Sequence, residues 1–180
     1  MKENYKKKII PKLKKELELD NVMAVPHITK VVINTGLGRL LGSASNPKDL
    51  LEEIKKEISL IVGQMPVATK AYKSIASFKT REGQVIGLKA TLRDKRMYDF
   101  LDRLIHIALP RSRDFRGLKE GAIDKEGNLT IGIKEHIIFP ETAESVKNFG
   151  FEITIVTNTR DREKALKLFY SLGFPIKSKD

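Results

Sequence analysis

QVIGLKATLRDKRMYDFLDRLIHIALP, residues 84–110, changes its hydrophobic period once, and that change decides the fold class. Through residues 84–93 the side chains alternate, with Ile86, Leu88, Ala90 and Leu92 on one side and Lys89, Thr91 and Arg93 on the other. Successive side chains of a strand leave opposite faces, so the spacing predicts a strand with one buried and one polar face. From Asp94 the period lengthens: Met97, Phe100, Leu101, Leu104, Ile105 and Ala108 trace the apolar stripe of a helix. Asp94 offers that helix a cap and Pro110 a stop.

Working outward, residues 66–73 predict a weaker strand, joined to residues 84–93 by Ser74–Gly83 (SIASFKTREG). That connection is polar, basic and without period, a long hairpin-like loop. Before it, Leu50, Leu51, Ile54, Ile58, Ile61 and Val62 form one apolar helical face that ends at Gly63, with Asn46 as cap and Pro47 at the first helical position. The β-branched run ITKVVINT, residues 28–35, predicts the first strand, and a glycine-rich turn follows from Gly36 to Gly42. Tyr5, Ile9, Leu13 and Leu17 make a helical stripe over residues 2–19, where Pro11 implies a kink or a late start. Strands at 128–134 and 151–157 and a helix from about Asp161 to Leu172 complete the order α β α β β α β β α. Hairpins and helices mixed without a βαβα rhythm indicate an α+β fold, a mostly antiparallel sheet with helices packed on one face. The other face is left open. Lys30 and Asn34 (with Val32 between them), then Lys89, Thr91 and Arg93, then Asn128, Thr130 and Lys134, would supply it with cations, amides and hydroxyls.

The formal net charge is +11, and it is gathered rather than spread. Residues 1–15 carry a local +6, residues 70–96 another +6 and residues 110–119 (PRSRDFRGLK) +3, so everything else together carries −4. Cationic patches on a balanced body are an electrostatic footprint for a polyanion. A plainly solvated Lys-rich surface would account for the start of the chain better than for the other two patches. In the last patch Arg111, Arg113 and Arg116 surround Phe115; guanidinium forks suit phosphate or an acidic protein surface, while Asp114 pairing with a neighbouring Arg is an equally good structural account. The chain has no Trp and 7% aromatic residues, which makes stacking secondary to charge, amides and hydroxyls.

With 180 residues and no linker-like run, the chain is expected to form a single domain over residues 1–180. No apolar run approaches the roughly 20 residues that span a bilayer, and no apolar core follows the basic start, so neither membrane nor secretion is expected. Zero cysteines exclude disulfides and thiolate metal sites and fit a reducing compartment. TGLGRLLG places Gly36, Gly38 and Gly42 between a strand and a helix, yet its third glycine comes one residue late for a dinucleotide fingerprint, with Leu41 in its place. A turn that brings backbone close to some partner is the better reading. Asp102 and His106 share one helix surface but have no third ligand, and His27 and His136 lie far away in sequence. Asp99 and Asp102 carry no acid–base signature, and no nucleophile motif is present. No catalytic residue, metal or cofactor is expected.

Several segments resemble one family. They are VVINTGLG (Val31–Gly38), GQMPVATKAYKSIASFKTREG (Gly63–Gly83), IGLKATLRDKRMYDFLDRLI (Ile86–Ile105), RDFRGL (Arg113–Leu118), GNLTIGIKEHIIFPE (Gly127–Glu141) and the terminal GFP (Gly173–Pro175). Together they are similar to the bacterial type of large-subunit ribosomal protein L5, the 5S-rRNA-binding family of the central protuberance. The resemblance implies an α+β fold whose concave sheet side binds 5S rRNA through Asn34, Gln64 and Thr91. Lys30, Lys89, Arg93, Lys70, Lys73, Gly36 and Gly38 surround these as further 5S candidates. It also implies that the long loop, with Ser74, Ser77, Phe78, Lys79, Thr80, Arg81 and Gly83, contacts the elbow of the P-site tRNA. Arg111, Arg113 and Arg116 would then meet a small-subunit head protein at an inter-subunit bridge. The 23S rRNA and neighbouring 5S-associated ribosomal proteins are the other implied partners, in the cytoplasm and within the ribosome. Tyr72 stands where the family usually has Arg or Lys, which removes one phosphate contact; Ser77 and Thr80 are milder departures. The residues alone support an RNA-binding module and leave open a free RNA-binding or RNA-chaperone domain. A phosphate-handling enzyme built on the glycine-rich turn is a more distant alternative.

Overall fold

Five strands hydrogen-bond in the order β2-β3-β1-β5-β4 in the computed structural model, which describes residues 3, 5–113, 115–142 and 148–177. They are β1 (Ile28–Gly36), β2 (Val67–Lys70), β3 (Val85–Leu92), β4 (Leu129–Ile133) and β5 (Phe151–Thr157). β2 pairs antiparallel with β3, Val67 opposite Lys89 and Thr69 opposite Gly87. Bonds from Asn158 N to His27 O, from Thr29 Oγ1 to Val156 O and from Thr35 Oγ1 to Gly150 O give β1 and β5 the same antiparallel sense. The α+β, antiparallel expectation therefore holds.

The chain divides into two compact units: Met1–Val31, Leu92–Ile131 and Ile153–Asp180 form the first, Val32–Thr91 and Gly132–Glu152 the second. In the first, α1 (Ile10–Glu16), α4 (Asp94–Arg103) and α5 (Arg162–Ser171) supply the helical layer. Leu13, Phe100, Leu101, Leu104, Leu129, Ile155, Leu168 and Phe169 are fully buried there. α1 and α4 are each extended through a π turn, Tyr5–Ile9 ahead of Pro11 and Leu104–Ala108 ahead of Pro110. Proline lacks an N–H and its ring collides with the carbonyl four residues back; a widened turn moves that carbonyl away. Pro110 accordingly does not stop its helix, which runs on to Arg111.

In the second unit, α2 (Gly38–Ser43) and α3 (Pro47–Val62) follow β1. The glycine-rich stretch expected to be a turn is thus largely helical. Leu37 and Leu41, four apart, are both buried, and Leu41 N donates to Leu37 O at 2.8 Å, so a short apolar stripe overrides the two glycines of α2, Gly38 and Gly42. α3 buries Leu50, Ile54, Ile58, Ile61 and Val62, as its period predicts, and Gly63 ends it with a left-handed φ of 73°. Two helix starts differ from expectation: the Asn46 side chain makes no capping bond, and Asp94 is itself the first residue of α4, with φ 50°, while Arg93 stands at the cap position. Asp161, by contrast, accepts from Glu163 N at 2.9 Å and caps α5. Deep in this unit His136 is fully buried, stacked on Phe149 with ring centroids 4.0 Å apart, and its Nε2 lies 3.4 Å from Glu57 Oε2.

The first unit carries an alkaline liability. Tyr5 donates its hydroxyl to Pro26 O at 2.8 Å, and its ring lies 6.2 Å from that of Tyr98. Burial raises both phenols above the ordinary 10.0. The fold favours the neutral form, so this contribution is intact below the unfolded-state pKa and lost as pH rises through the folded-state values. Melting temperature should accordingly hold level up to about pH 10 as far as these two groups decide it, then fall as phenolate absorbance appears. Tyr5→Phe should lower stability at neutral pH and make the alkaline fall shallower. An unchanged alkaline profile in that variant would assign the fall to other groups.

Candidate nucleic-acid interface

Strand alternation places the polar side chains of the second unit as its sequence predicts. Ile33, Leu88 and Ala90 are buried; Asn34 and Lys89 are exposed and Thr91 is half-buried. Gln64, just past the glycine that ends α3, donates from Nε2 to Thr91 O at 3.4 Å, so the loop after α3 sets one amide beside the end of β3. Gly36, Lys70 and Lys73 are exposed in the same unit. The face is not wholly polar: Val67, opposite Lys89 in the ladder, is 70% exposed. Lys30 and Arg93 fall in the first unit, Lys30 half-buried and Arg93 exposed.

The segment Ser74–Gly83 is a finger closed by its own ladder. Ile75 N donates to Thr80 O at 3.0 Å and Thr80 N to Ile75 O at 3.2 Å. A 3-10 turn Ala76–Phe78 and Lys79 in the left-handed region (φ 53°) reverse the chain between them. Glu82 N donates to Ser74 Oγ at 2.9 Å, and Gly83 N to Ala71 O at 2.9 Å, which fastens the root. Ser77, Lys79 and Arg81 are exposed, and Phe78, 78% exposed, projects from the finger rather than anchoring it.

Finger and glycine segment line one open groove of about 1060 Å³. Gly38, Arg39, Tyr72, Lys73, Phe78 and Lys79 are among its walls. Residues implied for 5S rRNA and for tRNA therefore meet at one concavity. Arg39 was missed by sequence reasoning, although it is the one cation inside the glycine-rich stretch.

In the first unit Arg111, Arg113 and Arg116 are exposed, while Phe115 is half-buried. The expected alternative partner of the arginines, Asp114, lies outside the described residues. Leu118, at the end of this basic loop, is buried and forms a parallel bridge to Ile176: Leu118 N donates to Pro175 O at 2.8 Å and Lys177 N to Leu118 O at 2.9 Å. The RDFRGL and GFP segments, far apart in sequence, are joined here. Asp102 Oδ1 lies 3.1 Å from His106 Nδ1 as an exposed pair on one helix surface, and no group of three or more metal-ligating side chains occurs among the described residues. No described helix is long and apolar enough to cross a membrane.

An antiparallel sheet with a polar side, a cationic finger and an arginine loop present a surface suited to the phosphate backbone of a nucleic acid. Residues 21–81 match the model of the family described as Ribosomal protein L5, and residues 85–176 match the model of the C-terminus of the same ribosomal family. The chain is 52% identical over 176 residues to the large ribosomal subunit protein uL5 of Nitratidesulfovibrio vulgaris, covering 96% of each. It is 49% identical over 177 residues to that of Syntrophomonas wolfei, covering 97% of each, and 47% identical over 175 residues to that of Halothermothrix orenii, covering 96% of each. The chain belongs to the ribosomal protein L5 family, and as such is a structural constituent of the large ribosomal subunit, at work in the cytoplasm.

Proposed function

We propose that the chain holds 5S rRNA on the polar face of its second unit and so helps attach it to the central protuberance. Asn34, Gln64 and Thr91 would read the RNA through hydrogen bonds, and Lys70, Lys73 and Lys89 would neutralise its phosphates. Lys30 and Arg93, in the first unit, are proposed as additional phosphate contacts, and Gly36 and Gly38 as points of close backbone approach. The observation that carries this reading is the amide of Gln64 placed 3.4 Å from the Thr91 carbonyl, in the unit that also exposes Asn34, Lys70, Lys73 and Lys89. Amides and hydroxyls beside cations offer directional hydrogen bonds, which phosphate attraction by itself does not supply.

The finger, with Lys79 and Arg81 on phosphates, is proposed to reach the P-site tRNA. Arg111, Arg113 and Arg116 would take part in a bridge to a protein of the small-subunit head. Exposed ion pairs are worth only roughly 0–1 kcal/mol each, which suits a contact that must break and re-form. The 23S rRNA and neighbouring 5S-associated proteins are the remaining proposed partners.

Binding of the isolated chain to a 5S rRNA fragment, titrated at several salt concentrations, tests the central assignment. If five phosphates are neutralised, log affinity should fall against log salt with a slope of about −4 to −5. An unrelated duplex of equal length should bind more weakly at every salt concentration. Equal affinity for the two RNAs, or affinity independent of salt, would overturn the reading.

A further inference from the structure

We propose that the groove between α2 and the finger receives one looped-out base of ribosomal RNA, stacked on Tyr72, with the flanking phosphates on Arg39 and Lys73. This rests on the reading of the second unit as an rRNA-binding body and adds a site to it.

Three observations carry the inference. The first is charge: among the described residues the groove is lined by Arg39, Lys73 and Lys79 and by no carboxylate, so its occupant is anionic. The second is exposed aromatic surface. Tyr72 is 86% exposed and Phe78 78%, both on the wall of the groove, and Lys73 Nζ stands 6.0 Å from the Tyr72 ring centroid. An exposed ring beside a cation is the pairing that single-stranded nucleic acid uses, base on ring and phosphate on cation. A base within a duplex is already stacked on its neighbours, so only an unpaired one can take this place. Where a basic residue at position 72 would bind phosphate, tyrosine replaces that contact with a stacking surface.

The third observation is the glycines. A Cβ at Gly42 would meet nothing within 4 Å, and one at Gly38 only Ile86 O at 4.0 Å. Neither has a positive φ. Glycine in a helix costs about 1 kcal/mol relative to alanine, and nothing inside the fold requires it here. Leaving these positions bare keeps the floor of the groove open. A volume of about 1060 Å³ gives room for a nucleotide and its neighbours. Ribosomal RNA, rather than tRNA, is the source assigned, because a base held within a groove leaves slowly and a transit ligand must leave quickly.

The test uses the full chain and an RNA hairpin with one bulged adenosine, compared with the same hairpin made abasic at that nucleotide. The intact hairpin should bind roughly 5- to 150-fold more tightly. Tyr72→Ala and Gly42→Val should each erase that preference and leave affinity for the abasic hairpin unchanged. Tyr72→Phe should retain it; Tyr72→Arg should tighten both hairpins and abolish the difference. Equal binding of the two hairpins by the parent chain, or a preference that survives Tyr72→Ala, would overturn the proposal. Dependence on Tyr72 for deacylated tRNA but not for the hairpin would overturn the assignment to ribosomal RNA, and displacement of the hairpin by a polyglutamate peptide would mark an acidic-peptide site instead. Binding of the 5S fragment, read through alanine variants of Asn34, Gln64 and Thr91, fails or holds separately from the base preference, so the two readings are distinguishable.

Discussion

Replacing Asn34, Gln64 and Thr91 together by alanine should weaken binding of a 5S rRNA fragment by about 3 kcal/mol, on the order of 150-fold, while the fold survives. Each side chain is assigned one hydrogen bond to RNA, and a bond whose partner would otherwise be left buried and unmet contributes about 1 kcal/mol. Asn34 is exposed and Thr91 half-buried in the free chain, so truncating them removes little internal packing. Gln64 differs, because it also donates to Thr91 O at 3.4 Å. That bond is long and its loss should cost the fold well under about 1 kcal/mol, a typical value for a modest surface change. Melting of the free triple variant within a few degrees of the parent is therefore part of the expected result. The salt slope should stay the same, since no cation is removed. A triple variant that binds like the parent would remove these residues from the 5S site. A variant that loses both binding and stability would make Gln64 a structural residue first.

The strands were legible because their period is short and their apolar residues β-branched: β3 and β5 lie within a residue of their expected bounds. The helical stripe of α3 was equally legible, since six apolar positions agree on one face. What the sequence hid has physical causes. The π turns ahead of Pro11 and Pro110 arise from the backbone's accommodation of a ring, which no side-chain pattern announces. α2 was masked by its glycines, because two leucines four apart look like chance in so short a stretch. Asp94, expected ahead of the helix, falls inside α4 as its first residue at φ 50°, a backbone state that side-chain pattern does not announce. Of the candidate site, the residue types and the alternating face were readable from one strand at a time. The Gln64–Thr91 bond, the Leu118–Ile176 bridge and the groove joining Arg39 to Tyr72 depend on tertiary approach, which local periodicity does not encode.

Gly87→Ala should be the most damaging single substitution on the polar face, costing about 3 kcal/mol or more. Gly87 lies in β3 opposite Thr69 of β2, and it is buried although Lys89 and Thr91, next along that side of the strand, are exposed and half-buried. A Cβ added there would stand 2.5 Å from Thr35 O and 3.0 Å from Thr69 Oγ1. The second contact involves a side chain that can rotate; the first involves the backbone of β1, which cannot move without pulling on its ladder. Relief therefore requires β1 and β3 to separate, and Leu37 N would strain the bond it donates to Ile86 O at 2.8 Å. Adding Thr69→Ala should recover little, because it leaves the carbonyl where it is. Gly42→Ala supplies the control: the same added methyl, with nothing within 4 Å, should be neutral or slightly stabilising in α2. Urea unfolding followed by circular dichroism separates the cases. A Gly87→Ala chain as stable as the parent would mean that β1 and β3 can part at that point without loss. Full rescue by Thr69→Ala would place the close contact on the threonine instead of the Thr35 carbonyl.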